Sequence, residues 1–183
     1  MKSFNSSQTA LLVIDIQNFY FDKEQKPAEH LIPAVQKVLQ KCRENHVPVI
    51  HVRHIWGDND KDPIFDFWHE TLPLEGEKVI TKRTPGSFFG TELEQVLKEL
   101  KVENLIITGM KTNHCCDTTT REAAARGYKV TIINEGVGTF DIVGIDGQPI
   151  KRELIQYVVL SVLRGFGECM SIDEFMNCSI ENQ

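Results

Sequence analysis

The sequence predicts an α/β chain in three layers, α/β/α, around a doubly wound and mostly parallel sheet of about six strands (Rossmann-like). Two observations carry this. Short apolar runs without polar alternation, such as Thr9-Ala-Leu-Leu-Val-Ile14, read as strands buried on both faces, the condition of a parallel strand covered by helices. Such runs then alternate along the chain with apolar stripes at i, i+3, i+4, and strand–helix alternation points to a parallel sheet wound from both sides.

The elements follow in order. The first strand ends at Asp15. After Pro33, the residues Ala34, Val35, Val38, Leu39 and Cys42 form one helical stripe, which His46-Val-Pro48 ends before a second strand, Val49–Val52. Residues 54–76 are irregular and carry Trp56, Phe65, Phe67, Trp68, Pro63 and Pro73; an unstructured stretch of that length in a small domain usually serves function. Lys78–Thr81 is a third strand. Leu93, Val96, Leu97 and Leu100 then mark a helix that Thr91 can cap. Asn104–Thr108 is a strand, Cys115–Arg126 a helix with Gly127 as its stop, and Tyr128–Ile133 a strand. Leu154, Ile155, Val158, Val159 and Val162 mark the next helix, and a short strand near Cys169–Ile172 closes the alternation. No linker, repeat or low-complexity tract interrupts it, so residues 1–183 read as a single domain.

Composition narrows the function. A hydrophobic content of 41% and a charged content of 25% are ordinary for a globular chain. A net charge of −6 leaves no basic excess to neutralise phosphates, which argues against nucleic acid or an anionic membrane as partner. No apolar run approaches the roughly 20 residues that cross a bilayer, and Met1-Lys-Ser-Phe-Asn-Ser-Ser has no apolar core of a signal peptide. Cysteines 42, 115, 116, 169 and 178 form no even framework and are expected as reduced thiols in a cytoplasmic protein. The Gly-rich dinucleotide fingerprint is missing after the first strand, where Asp15-Ile-Gln-Asn-Phe stands. The expected partner is a small-molecule substrate, and no cofactor is expected.

In doubly wound sheets ligands sit outside the carboxyl ends of the strands, and Asp15, Lys82 and Cys115 each fall just beyond one. At a strand end leading into a helix, Cys115 is expected to feel unpaired N–H groups and the positive helix terminus, which favour thiolate. Asp15 can take the thiol proton as sulfur attacks a carbon. Lys82 can lower the thiol pKa and hold the carboxylate ionised. Cys116 lacks the Cys-x-x-Cys spacing of a redox pair.

Three blocks combine these residues: Leu11-Leu-Val-Ile-Asp15-Ile-Gln17; Lys82-Arg-Thr-Pro-Gly-Ser-Phe-Phe-Gly90-Thr91-Glu-Leu93; and Gly109-Met-Lys-Thr112-Asn-His-Cys115-Cys116-Asp-Thr-Thr119-Thr-Arg121-Glu-Ala123. In this order they resemble the isochorismatase-like cysteine hydrolases, from about residue 8 to residue 172. The resemblance implies a triad of Asp15, Lys82 and Cys115 with Cys115 as nucleophile. It further implies a cis peptide at Met110–Lys111, and an oxyanion hole from the backbone N–H groups of Lys111 and Cys115. Cys116 stands where the family usually has valine and is expected as a buried small hydrophobe. A homo-oligomer is expected on the same ground.

Within that family the presence of the cysteine favours hydrolysis of a small amide or ureide C–N bond through a thioester. The alternatives are an isochorismatase-type or nicotinamidase-type reaction, or a retired scaffold. Nicotinamidases hold a metal with an aspartate and two histidines after the second strand. Here His54 and Trp56 replace the first two, so no metal is expected, although His51, His54, Asp58 and His69 could be rearranged around one. Phe88, Phe89, Trp56 and Gln17 are the candidate substrate-binding residues. Arg53 and Arg121 could meet a carboxylate, but Arg121 is expected to pair with Asp117; Thr112, Asn113 and Thr119 are expected to fix the nucleophile turn.

Overall fold

The computed structural model describes residues 2–21 and 27–182. Its strands are β1 (Thr9–Ile14), β2 (Val49–His54), β3 (Lys78–Lys82), β4 (Asn104–Met110), β5 (Lys129–Gly138) and β6 (Glu168–Met170). They form one sheet in the order β3-β2-β1-β4-β5-β6, every neighbouring pair parallel. Strand order reverses between β1 and β4, which opens a crevice at their carboxyl ends. The longer helices are α1 (Leu31–Glu44), α2 (Leu93–Glu99), α3 (Asp117–Ala125), α4 (Arg152–Leu163) and α5 (Ile172–Asn177).

Residue parity along each strand divides the interior in two, because successive side chains point to opposite faces. Leu11, Val13, Val49, Ile106 and Ile133 meet α1 and α5 through Val35, Val38, Leu39 and Phe175. Ala10, Leu12, Ile50, Val52, Ile107 and Ile132 meet α2, α3 and α4 through Leu93, Leu97, Ala123 and Leu163. Every residue of β1 is buried, as expected for a strand with helices on both faces. At this strand register, successive parallel pairings hold β1 between β2 and β4.

Several boundaries differ from expectation. The helix expected from Cys115 begins instead as a five-residue π turn, Thr112–Cys116, and becomes α-helical at Asp117. α2 is entered one residue later than the expected cap, at Glu92, which makes no side-chain cap bond; Thr91 Oγ1 accepts the Leu93 N–H at 3.2 Å from the position before it. The chain also continues past β6 into α5, announced by Ser171-Ile-Asp-Glu174, a reciprocal capping box. Two small pairings lie outside the main sheet: Ser3–Asn5 with Ser179–Glu181, and a hairpin of Ile142–Val143 with Pro149–Ile150.

Gly109 governs how closely β1 and β4 approach the site. Its φ is +126°, and a Cβ there would lie 2.0 Å from the Ile14 carbonyl oxygen, one residue before Asp15. Gly109→Ala is expected to lower the unfolding free energy by more than about 3 kcal/mol in urea titration; a loss under about 1 kcal/mol would show that the backbone can yield there.

Candidate active site at the carboxyl ends of the strands

Asp15, Lys82 and Cys115 converge at the crevice, and all three are buried. Asp15 follows β1 in the left-handed region, φ 52°, a conformation that aspartate tolerates better than most non-glycine residues. Its Oδ2 lies 2.8 Å from Lys82 Nζ. Lys82 ends β3, two strands from β1, and its long side chain spans the intervening β2. The Thr84 and Pro85 carbonyls accept hydrogen bonds from the same Nζ at 3.1 and 3.2 Å, so the ammonium is held on three sides. The Cys115 sulfur and a carboxylate oxygen of Asp15 lie within 4.8 Å of one another. The peptide Met110–Lys111 is cis.

The turn bearing Cys115 is fastened from several elements. Thr112 Oγ1 donates to Gln156 Oε1 on α4 at 2.7 Å, and Thr139 Oγ1 donates to Asn113 Oδ1 at 2.6 Å. Thr119 on α3 bonds Ser87 through its hydroxyl at 2.8 Å, and Glu122 accepts the Phe88 N–H, which pins the loop after Lys82 to the helix after Cys115. Thr112, Asn113 and Thr119 thus fix the turn by long-range bonds. Asp117 and Arg121 form the expected ion pair at 2.9 Å, and Arg121 also stacks on Phe166.

The electrostatics correct one expectation. Burial pushes the Cys115 thiol up to about 12; the Asp15 charge adds to this, and Lys82 only partly opposes it. The resting group is therefore a thiol, not a thiolate. Two assumptions fail together: the nucleophile sits on a π turn short of the α3 terminus, and burial, with the carboxylate beside it, disfavours the thiolate. Burial also raises Asp15, to about 6, against the lowering influence of Lys82. Near neutral pH the centre thus holds a carboxylate beside a protonated thiol. Cys116 is fully buried and held protonated by burial, in keeping with a small hydrophobe.

Two histidines enter the centre that sequence reasoning did not place there as a pair. His54 Nδ1 lies 3.9 Å from both Asp15 Oδ2 and Cys115 Sγ. Burial, with Lys82 nearby, depresses its pKa to about 4, so the ring is neutral. His114 Nδ1 lies 3.4 Å from Cys115 Sγ, and burial lowers its pKa too. The signal for His54 was strand order: once β2 lies between β1 and β3, its last residue must stand between Asp15 and Lys82. His51, three residues earlier, falls on the opposite face and bonds Glu77 at 3.0 Å, while His69 packs on Trp68. The set His51, His54, Asp58 and His69 therefore does not converge. Among the described residues, the group with donor atoms close enough to hold a cation is Asp15, His54 and Cys115, within 4.8 Å of one another; the Lys82 ammonium on the same carboxylate opposes a cation there.

The expected substrate contacts fare unequally. Trp56 stands beside the centre, edge-on to His54, Phe19 and Phe65, and is 41% exposed. Phe89 projects into solvent at 69% exposure. Gln17 and Phe88 require correction. The Gln17 amide donates to the His54 and Phe65 carbonyls and accepts the His54 N–H at 2.8 Å; with both ends taken, it sets the end of β2 and offers nothing to a ligand. Phe88 is buried against Tyr128 and under Arg126, toward the start of β5 and away from the carboxyl ends.

Comparison with known proteins agrees with this geometry. Residues 9–148 match the model of the isochorismatase domain. The chain is 35% identical over 170 residues to the uncharacterized isochorismatase family protein YddQ of Bacillus subtilis, covering 86% of this chain and 92% of that one. It is 27% identical to nicotinamidase 3 of Arabidopsis thaliana, covering 97% and 92%. Its fold superposes on a cysteine hydrolase from Pseudomonas syringae pv. phaseolicola with a TM-score of 0.89 at 25% identity, over 94% and 92% of the two chains. Its relatives and structural neighbours are isochorismatase-family hydrolases, a cysteine hydrolase among them. The chain belongs to the isochorismatase family.

The protonation pattern is directly measurable. Thiolate absorbance near 240 nm, taken as wild type minus Cys115→Ser, is expected to stay flat between about pH 6 and about pH 9. A thiolate signal already present below about pH 7 would contradict a thiol held protonated by burial.

Proposed function

We propose that the protein hydrolyses the C–N bond of a small amide or ureide through a thioester on Cys115, with Asp15 and Lys82 completing the triad. The observation that carries this reading is the convergence of a buried carboxylate–ammonium pair and a buried thiol at the switch point of the sheet. A protonated thiol beside an ionised carboxylate suits a nucleophile made on demand. The Cys115 proton passes to Asp15 as sulfur bonds the substrate carbonyl carbon, and the carbonyl π electrons move to oxygen. The backbone N–H groups of Lys111 and Cys115 are the proposed donors to that oxyanion. Collapse restores the carbonyl and expels nitrogen, which takes the proton from Asp15 and leaves as amine or ammonia. Asp15 then accepts a proton from water as its oxygen attacks the thioester. The acid departs, and sulfur recovers its proton. Throughout, Lys82 stabilises the carboxylate that a buried site would otherwise neutralise.

Trp56 is the proposed wall of the substrate site, with Phe89 at the rim. The relative named nicotinamidase supports an amide substrate, whereas His54 and Trp56 differ from the metal-binding pattern of that enzyme class and favour a linear amide or ureide handled without a metal. All five cysteines are free, which supports a reducing, cytoplasmic setting, and among the described residues no helix is long and apolar enough to cross a membrane.

Screening a panel of small amides and ureides for released ammonia or amine tests the reading. One or more should be turned over, with Cys115→Ala lowering kcat/KM by at least about 1,000-fold. Retained turnover in Cys115→Ala, or none across the panel, would defeat it. For a hydrolysed substrate, kcat/KM should rise with pH through an apparent pKa near 6, because Asp15 must lose its proton to act as base. A profile that falls through that range would give Asp15 the opposite role.

A further inference from the structure

We propose that His114 is a further catalytic residue, on the reading that the reaction runs through a thioester: its Nδ1–H donates a hydrogen bond to the Cys115 sulfur as that sulfur leaves the acyl group. His114 Nδ1 lies 3.4 Å from Cys115 Sγ. The sulfur is buried, whereas His114 is exposed, so the ring reaches from solvent to the reacting atom. The π turn fixes it there. The His114 backbone N–H donates to the Lys111 carbonyl at 3.0 Å, and the two preceding side chains, Thr112 and Asn113, are bonded to Gln156 and Thr139. His54 is less suited to the same task. Its Nδ1 stands 3.9 Å from Asp15 Oδ2 as well as from the sulfur, and a charged acceptor draws an N–H more strongly than sulfur does.

What sulfur can bond at each stage assigns the role. Once acylated, Cys115 carries no proton, and a thioester or thiolate sulfur accepts hydrogen bonds but donates none. An imidazole nitrogen beside it then helps only as N–H. A neutral imidazole has one N–H, which either ring nitrogen can carry, and exchange with water on the exposed side lets it settle on Nδ1. Burial, with Lys111 and Lys82 nearby, keeps the ring neutral, so His114 does not compete with Asp15 as base and keeps its own proton throughout. The water oxygen bonds the thioester carbon as Asp15 takes its proton, and the carbonyl π electrons move to oxygen. They return as the carbon–sulfur bond breaks; its electron pair passes to sulfur, and Asp15 gives the proton back to sulfur. With the thiol pushed up to about 12 by burial, that sulfur leaves less readily than an ordinary thiolate would. A preorganised N–H aimed at the atom where charge develops offsets this, and acts most strongly in a buried site. Expulsion of nitrogen takes place with sulfur already bonded to carbon, so the same N–H contributes little to that earlier step.

An acyl group of known identity separates this step from the search for the amide substrate. p-Nitrophenyl acetate acylates a reactive thiol directly, and acid quench followed by intact-mass and peptide analysis shows how long acetyl stays on Cys115. His114→Phe keeps a ring without the N–H and should lengthen the acetyl-Cys115 lifetime by about 10-fold or more. His114→Asn, whose amide nitrogen stands the same number of bonds from Cα as Nδ1, should recover most of the wild-type rate. With a hydrolysed amide, His114→Phe should lower kcat and KM together, leaving kcat/KM within about 3-fold. Acetyl that clears from His114→Phe as fast as from the wild type would overturn the proposal. So would a slow His114→Phe that His114→Asn does not rescue, since a structural defect alone accounts for it; both outcomes leave the thioester reading standing. A wild type that never carries acetyl on Cys115 would sink that reading and the role of His114 with it. If His114→Phe fails to fold, His114→Leu takes its place with the same readout.

Discussion

The ion pair between Asp15 and Lys82 is the constraint on which the centre depends. Both groups are nearly inaccessible, and removing either would strand a charge in a medium that cannot solvate it, a change that typically costs about 3–5 kcal/mol. The sheet supplies the geometry. β1 and β3 flank β2, so a carboxylate just past one and an ammonium ending the other meet over the end of the strand between them. The Thr84 and Pro85 carbonyls complete the ammonium's coordination. The pair also explains why burial raises Asp15 only to about 6, leaving it ionised near neutral pH.

From that pair the thiol's behaviour follows. Burial, with a carboxylate beside Cys115, disfavours a second anion, so the sulfur rests protonated. In the proposed reaction, the nucleophile is therefore made only when substrate is bound. His54 and His114, neutral at the same pH, line the thiol without adding charge. Gln17 acts one step back: by clasping both backbone groups of His54 it holds the end of β2 in line with the pair.

The sheet, its parallel pairing and the three converging residues were legible because each is written locally. Unbroken apolar runs mark strands covered on both sides, and Asp15, Lys82 and Cys115 sit at their ends. What escaped depends on distance. Thr9–Ile14 and Val49–Val52 can be read as strands without knowing that they are neighbours, and only neighbourhood puts His54 between Asp15 and Lys82. The thiolate expectation weighed the helix terminus and Lys82, but not the burial of the thiol nor the carboxylate brought in from another strand. Phe88 looked like a pocket residue because it follows Lys82 closely; the bonds from Ser87 and Phe88 to α3 turn its ring toward Tyr128 instead. α5 was the avoidable omission, since its capping box is plain in Ser171-Ile-Asp-Glu174.

Covalent attachment to sulfur is the step on which the proposed reaction turns. Rapid acid quench of the enzyme with a hydrolysed amide, followed by intact-mass and peptide analysis, observes it most directly. The account predicts an added mass equal to the acyl portion, carried by the peptide containing Cys115 and missing in Asp15→Asn. Steady turnover with an unmodified Cys115 peptide at every quench time, together with undiminished turnover in Cys115→Ser, would contradict it.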